Sequence, residues 1–191
     1  MRLRSPLFAL ALLLFAAPGQ AVTIFSAVLD GSQEVPTPSG SSATGNATLV
    51  LSDDEQSLTY VITTIGLDFA AQTADTSDDV TRAHIHNAAA GSNGPIVFGF
   101  IDPSDDTDDF VLTFVASTLT ATMTGVWDAG DSGESLSAFV AALRAGELYI
   151  NVHTNAFPGG EIRGQIVPEP NTLALIALGL TGLAHAGKPR R

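Results

Sequence analysis

The stretch "NATLVLSDDEQSLTYVITTI", residues 46–65, carries the clearest information about the fold in this sequence. Its two arms, 46–52 and 57–65, alternate apolar with polar residues and are rich in β-branched side chains. This pattern is typical of strands that bury one face. The acidic link "DDEQ" between the arms has the composition of a turn. The stretch therefore predicts two antiparallel strands joined as a hairpin.

The same alternation recurs on both sides of this hairpin, broken by Gly, Pro, Asp and Ser. Only residues 134–147 have a helical period, with Ser135 as a candidate N-cap and Gly146 as a candidate C-terminal stop. Many short strands with one short helix predict an all-β fold, an antiparallel, Greek-key-like β-sandwich. The further strands are predicted at 22–29, 80–86, 95–101, 110–124, 148–154 and 160–167.

Residues 1–21 have the composition of a secretory signal peptide. Arg2 and Arg4 form a basic start, and an apolar run follows from 7 to 17. The small residue Ala21 suits the position just before a signal peptidase cut. We therefore expect cleavage after Ala21 and a mature chain that starts at Val22; a short membrane anchor is the alternative.

The C-terminal segment 168–191 has three parts: the tripeptide Pro168-Glu169-Pro170, an apolar run over 172–187, and a basic tip. A helix over the apolar run would be roughly 24 Å long, a little short of the ~30 Å hydrocarbon core. The basic tip would stay in the cytoplasm under the positive-inside rule. The pattern predicts a transmembrane helix that follows an exported body.

This three-part order resembles the PEP-CTERM sorting signal. The resemblance implies that an exosortase cuts near Pro168-Glu169-Pro170 and passes the protein to the cell surface or to extracellular polymer. It also implies that the C-terminal helix holds the chain in the membrane only until that cut. A permanent membrane anchor is the alternative. In both cases the body, residues 22–167, lies outside the cytoplasm.

The composition of the body excludes several classes of function. The whole chain has a formal net charge of −12, and between 22 and 167 only Arg82, Arg144 and Arg163 are basic. Such a surface repels nucleic acid, so no nucleic-acid partner is expected. The chain has no cysteine. Disulfides, thiolate metal sites and a thiol nucleophile are therefore excluded.

Four blocks of the body resemble the CHRD domain, a module of exported bacterial and animal proteins. They occur in the order "FSAVLDGSQEVPTPSGSSATGNATLVL", "AHIHNAAAGSNGPIVF", "LRAGELYINVHT" and "FPGGEIRGQI". The resemblance covers essentially all of residues 22–167. It implies a binding or structural module without an agreed catalytic activity. We therefore expect a non-enzymatic β-sandwich that is displayed at the cell surface or in extracellular polymer and acts there by binding other components or by packing in the matrix.

The second block places His84 and His86 one residue apart on a predicted strand. Side chains two positions apart share a face of a strand, about 6.6 Å apart along the chain. If the strand that holds His153 lies beside them, three imidazoles can bind one ion, and copper or zinc is the candidate cofactor. This exported metal-binding protein is the alternative function. A weak local likeness to copper-zinc superoxide dismutase leaves redox activity as a remote option.

A buried polar network without any metal explains the same residues. In that interpretation His84, His86 and His153 join Asn151, Glu161 and Arg163, and every imidazole nitrogen is hydrogen-bonded. Glu161 and Arg163 share a strand face by the same rule of two, so an ion pair between them or with neighbouring residues is expected. The five aspartates of "DPSDDTDDF" at 102–110 form either a solvated acidic loop or, less readily, a Ca²⁺ site.

Overall fold

The computed structural model describes residues 22–170, and its nine strands form one antiparallel sheet in the order β5-β4-β8-β9-β1-β2-β3-β7-β6. Only one short α-helix, α1, and three 3₁₀ turns accompany the strands in this range, so the all-β prediction is confirmed. The strands are β1 Thr23–Asp30, β2 Thr44–Leu51, β3 Leu58–Ile65, β4 Val80–Asn87, β5 Ile96–Ile101, β6 Val111–Val115, β7 Thr120–Trp127, β8 Leu148–Thr154 and β9 Ile162–Pro168. The helix is Val140–Ala145, and the turns are Gly31–Gln33, Ala116–Thr118 and Leu136–Ala138.

The hairpin that the sequence predicted is present as β2 and β3, paired without a break from Thr44↔Ile65 to Leu51↔Leu58. Its turn is closed by Ser52, whose hydroxyl accepts hydrogen bonds from the backbone N–H groups of Gln56 and Ser57. Alternate residues of both strands are buried, as the alternation in the sequence requires. Local pattern and turn chemistry therefore suffice to predict this unit.

The sheet curls until its two ends pack face to face and enclose the core. The ring of Phe98 on β5 stacks on Trp127 of β7, with the ring centroids 4.8 Å apart. The ring of Phe100 meets Tyr60 of β3 edge-on at the same distance. Strand β5 is one edge of the sheet, whereas β3 and β7 belong to its other half. The two layers of the predicted sandwich are therefore two halves of one continuous sheet.

Two segments differ from the sequence prediction. The run 110–124 is not one strand, because the chain reverses at Ala116–Thr118 and Leu119 takes a left-handed conformation with φ 47°. The predicted helix 134–147 is only Val140–Ala145 after a 3₁₀ turn, and the side chain of Ser135 makes no capping bond. Gly146 does end the helix in the left-handed conformation, as expected.

Strands β4, β8 and β9 lie side by side and carry most of the residues that the sequence singled out. Their core-facing side chains, such as Ile85 and Ile150, are fully buried in the apolar interior. Their other face is also buried, because the loops after β4, β5 and β8 fold over it. That second, loop-covered face holds the candidate site.

The predicted signal peptide, residues 1–21, and residues 171–191 of the predicted sorting segment lie outside the described residues. Within residues 22–170 we find no helix that is long and apolar enough to cross a membrane.

Candidate metal centre

Three histidines meet on the loop-covered face of β4 and β8. His84 and His86 project from the same side of β4, and their ring centroids are 5.5 Å apart. The neighbouring strand β8 contributes His153, whose ring centroid is 5.3 Å from that of His84 and 6.3 Å from that of His86. The condition set by the sequence, that the strand of His153 lies beside the His-x-His strand, is therefore met.

Each of the three rings has one nitrogen bonded to a backbone carbonyl. The Nε2 of His84 lies 2.8 Å from the carbonyl oxygen of Asp102, and the Nδ1 of His86 lies 3.0 Å from that of Gly94. The Nδ1 of His153 lies 3.2 Å from the carbonyl oxygen of Pro158. A carbonyl only accepts, so each of these ring nitrogens carries the proton. The second nitrogen of each neutral ring then presents a lone pair.

Those second nitrogens are buried and have no hydrogen-bond partner among the described residues. They are the Nδ1 of His84 and the Nε2 atoms of His86 and His153. One nitrogen of each ring lies within 4.8 Å of one nitrogen of each of the other two rings. A tetrahedral ion 2.0–2.1 Å from each of three nitrogens needs them about 3.4 Å apart. The spacing of the three rings is therefore compatible with one shared ion.

Burial keeps the three imidazoles neutral, which is the form that binds a metal. Desolvation lowers the pKa of His84 and of His86 below the ordinary value. For His153, burial and the neighbouring His84 lower the pKa to about 4. Three lone pairs that converge in a site without protons repel one another and leave buried acceptors unpaired, a cost that a cation removes.

The loop after β4 places the carbonyl oxygen of Gly94 beside the ring of His86. A side chain at Gly94 would clash, because a Cβ atom there would stand 1.9 Å from the carbonyl oxygen of Asn87. The N–H of Gly94 donates to the hydroxyl of Tyr149 at 3.2 Å, which holds the loop onto β8. Glycine at this position thus allows the close approach that orients His86.

Comparison with models of protein families identifies the family to which this fold belongs. The family model of the CHRD domain matches residues 25–166, and the model of the PEP-CTERM protein-sorting motif matches residues 167–191. The chain belongs to the CHRD family. Both resemblances drawn from the sequence are thereby confirmed. No curated protein and no solved structure matches the chain.

The sequence did not single out Tyr149, which supports the histidine site of this CHRD domain from the side. Its ring stacks on His86 with the centroids 4.8 Å apart and the planes 5° from parallel. On its other face the guanidinium carbon of Arg163 lies 3.4 Å from the ring centroid, a cation–π contact. Alternation along "LYINVHT" could have indicated Tyr149, because it shares a face with Asn151 and His153.

The predicted ion pair between Glu161 and Arg163 does not form. Arg163 instead donates to the side-chain oxygen of Asn93 at 3.0 Å and to the carbonyl of Ser92 at 2.7 Å. Glu161 accepts hydrogen bonds from the hydroxyls of Ser41 and Thr154. The physical reason is that β9 begins at Ile162, so Glu161 precedes the strand and the rule of two does not apply to it.

The hydrogen-bonded network of the metal-free interpretation is present only in part. Asn151 and Arg163 are buried on the loop-covered face, and Glu161 is also buried, as that interpretation expects. However, the oxygen of the Asn151 amide and one nitrogen of each histidine are buried without a partner among the described residues. A network built to pin the strands would satisfy these groups, because unpaired buried polar atoms are costly.

Glu34 is a further buried acid that the sequence did not indicate. It is only 6% exposed, and its Oε1 has no partner within residues 22–170. Desolvation raises the pKa of Glu34 to about 7, although the Arg163 guanidinium and an amide hydrogen bond from Asn151 oppose the shift. The charge of this carboxyl therefore changes near neutral pH.

The aspartates at 102–110 act mainly as hydrogen-bond acceptors for the surrounding backbone and core. Asp105 accepts from the N–H of Gly99, and Asp109 accepts from that of Val126. The buried Asp106 accepts from the hydroxyl of Tyr60 at 2.5 Å. Asp106, Asp108 and Asp131 come near one another, and of these three Asp106 already accepts the hydrogen bond from Tyr60.

The sorting tripeptide lies at the surface, where the CHRD domain ends. Pro168, Glu169 and Pro170 are all exposed. Pro168 is the last residue of β9 and faces Phe25, and the N–H of Glu169 donates to the carbonyl of Ile24 at 2.8 Å. The tripeptide is thus accessible and directly follows the sheet.

Proposed function

We propose that this CHRD domain binds a copper or zinc ion outside the cytoplasm, through His84, His86 and His153. One observation carries the proposal. In each ring one nitrogen is held by a backbone carbonyl and the other is buried without a partner among the described residues, and the three rings bring one nitrogen each within 4.8 Å of one another. In metal-bound histidines one ring nitrogen binds the metal, and the other almost always donates its N–H to a carboxylate, a backbone carbonyl or water.

The ligand set limits which ion the site would take. Imidazole suits copper and zinc, whereas calcium and magnesium prefer oxygen ligands. The shared region of the three nitrogens is largely sealed, since the three histidines are exposed by 9% or less. Copper and zinc both accept three imidazoles, and a small exogenous group such as water can complete the coordination.

The proposal is tested by elemental analysis of the full chain, purified in a neutral detergent and then exposed to Cu²⁺ or Zn²⁺. We expect about one equivalent of tightly held metal and a raised melting temperature, because an ion that binds only the folded state stabilises it. The triple variant His84→Ala, His86→Ala, His153→Ala should hold none. Metal-free protein with unaltered melting, or equal metal in the triple variant, would contradict the proposal and restore the polar network.

The sorting motif supports export of the protein to the cell surface or the extracellular space. The finer account of this route is also proposed here. Signal peptidase cuts after Ala21, the apolar run at 172–187 holds the chain in the membrane, and an exosortase cuts near the exposed Pro168-Glu169-Pro170. The mature domain, residues 22–167, then acts at the surface or in extracellular polymer.

Deletion of residues 168–191 tests this route by cell fractionation. The truncated protein should appear in the medium or the periplasm, because both the helix and the recognition motif are gone. Unchanged retention at the cell surface would contradict the route. An intact chain that carries only Glu169→Gln is the matched variant for the tripeptide, since it leaves the apolar run and basic tip in place.

The proposed role is binding and not catalysis. The sequence offers no Gly-x-Ser-x-Gly elbow or thiol nucleophile, and the site itself consists of three neutral imidazoles with backbone partners. Redox turnover of superoxide by the copper-loaded protein is the measurement that separates the two roles. Activity no greater than that of the triple histidine variant is the expected result.

A further inference from the structure

One broad face of the sheet has no charged side chain in a protein that is strongly acidic. It consists of the outward-facing residues of β1 from Ile24 to Val28 and those of β2, β3, β7 and β6, and is called the neutral face below. Threonine and branched aliphatic residues make up nearly all of these positions. Several of the aliphatic ones are well exposed, for example Val28 at 63% and Val111 at 55%.

The strand register arranges these side chains in rows across the sheet. In one row Val28 faces Asn46, which faces Thr63, which faces Thr122, and Thr122 in turn faces Thr113. The hydroxyls of Thr63 and Thr122 are 3.3 Å apart. Each row thus combines hydroxyl or amide groups with methyl groups across neighbouring strands about 4.8 Å apart.

Acidic residues border the neutral face at the strand ends. Asp30 ends β1 opposite Thr44. Asp53 and Asp54 lie in the β2–β3 turn, Asp109 accepts a hydrogen bond from the N–H of Val126, and Asp128 directly follows β7. An anionic polymer or an anionic membrane that approached the face would meet these charges first. The electrostatics therefore favour a partner without net charge.

The size of the neutral face argues against a second copy of the chain as its partner. Five strands and about four rows span roughly 20 by 20 Å, or about 400 Å². A stable protein interface buries about 800 Å² on each partner. Two copies would also bring their acidic borders together. A polymer with a repeating unit overcomes a small contact area, because many surface-displayed copies can engage one chain at once.

We propose that the neutral face binds an uncharged extracellular polysaccharide. Threonine hydroxyls and the Asn46 amide exchange hydrogen bonds with sugar hydroxyls, while the valine and threonine methyls contact the C–H surfaces of the sugar rings. The proposal is independent of the metal site and rests only on the location of the protein outside the cytoplasm. The partner follows from the chemistry of the face, which offers hydrogen bonds and apolar contact but no charge.

Affinity electrophoresis of the full chain in neutral detergent tests this proposal. Native gels contain either an uncharged polysaccharide, hydroxyethyl cellulose or dextran, or the anionic polysaccharide alginate. We expect retardation by an uncharged polymer and none by alginate. The central substitution Val61→Lys should weaken retardation by about tenfold, a loss of ~1.4 kcal/mol in binding. Thr48→Lys, one strand away, is the second variant in case Val61→Lys perturbs folding.

Ala138→Lys is the matched control, because it adds the same charge at an exposed turn that is not part of the neutral face. It should leave retardation unchanged. Absence of retardation by both uncharged polymers, or equal retardation of all variants, overturns the proposal. Sedimentation velocity supplies the remaining outcome: a dimer that Val61→Lys and Thr48→Lys abolish would show that a second copy covers the face. Metal content is unaffected in every case, so this test and that of the metal site fail separately.

Discussion

The two halves of the sheet obey the same alternation but present opposite outer faces. On β4, β8 and β9 the outer residues are histidine, asparagine, tyrosine and arginine, and loops cover them almost completely. On β2, β3 and β7 the outer residues are threonine and valine, and many of them are exposed. A second buried layer therefore exists only where loops supply partners for polar side chains.

This difference explains why the histidine half is the functional candidate. Covering a polar face removes water from it, so every buried donor and acceptor must find a partner in the protein or in a ligand. Three carbonyls satisfy one nitrogen of each histidine, and the other nitrogens have no partner among the described residues. The side chains of the neutral face need no such partners, because water forms hydrogen bonds with their exposed hydroxyls.

The largest expected effect is the loss of metal on removal of the ligand from β8. His153→Ala leaves only the two imidazoles of β4, and loss of a direct ligand should lower metal affinity by more than the roughly 10–100-fold that loss of an outer-shell partner costs. Competition with a chromophoric chelator measures this loss. The matched control is His185→Ala, which removes the histidine of the sorting segment; equal losses in both variants would contradict the site.

The second effect is on stability, and it contrasts the two halves directly. Arg163 is 1% exposed and holds the loop residues Ser92 and Asn93 while it stacks on Tyr149. Arg163→Met should lower the free energy of unfolding by about 2–4 kcal/mol, because it leaves buried acceptors unpaired. Thr124→Val on the neutral face should change the free energy of unfolding by no more than about 0.5 kcal/mol. Urea denaturation of both variants checks the contrast.

The third effect is a pH dependence of stability that arises from the buried carboxyl of Glu34. Burial raises the pKa of Glu34 to about 7 from an ordinary value of 4.5. The folded protein therefore binds a proton between these values that the unfolded chain has released. The contribution of Glu34 to stability is fully present below pH 4.5 and is lost as the pH rises through 7.

Glu34→Gln should remove this dependence, so that its melting temperature changes less between pH 5 and pH 8 than that of the parent protein. Buried His153, whose pKa is lowered to about 4, acts in the opposite sense, since its stabilisation is lost as the pH falls from 6.5 towards 4. The comparison is therefore between variant and parent at each pH. Parallel melting curves for the two proteins would show that Glu34 does not titrate in this range.

The smallest effect is expected at the surface ion pair between Arg144 and Glu55. Their nitrogen and oxygen are 2.6 Å apart, but both side chains are nearly half exposed. Exposed pairs of this kind contribute about 0–1 kcal/mol. Arg144→Ala should change the free energy of unfolding by less than about 0.5 kcal/mol, and a larger change in urea denaturation would indicate a role for Arg144 in the packing of α1.

Much of the fold could be predicted because its evidence is local. The hairpin of β2 and β3 follows from alternation, and the shared face of His84 and His86 follows from their spacing. The reversal within 110–124 was missed because Leu119, a poor candidate for positive φ, takes the left-handed conformation there. Sequence alternation carries no signal for such a turn.

Of the candidate site, only the three histidines could be predicted from the sequence. The carbonyls of Asp102, Gly94 and Pro158 belong to three different loops, and any residue has a carbonyl, so no side-chain pattern marks them. Glu34 reaches the site from a loop with no period at all. These long-range contacts decide between a metal site and a satisfied network, which is why the sequence left both alternatives open.

X-ray absorption at the metal edge of the full chain loaded with one equivalent of Cu²⁺ or Zn²⁺ tests the central claim most directly. The proposed three-histidine site predicts a first shell with three imidazole nitrogens at about 2.0–2.1 Å, together with the outer-shell scattering of histidine rings. In His153→Ala the shell should lose one imidazole or the metal altogether. A shell of oxygen ligands, or a spectrum that His153→Ala leaves unchanged, would contradict the three-histidine site.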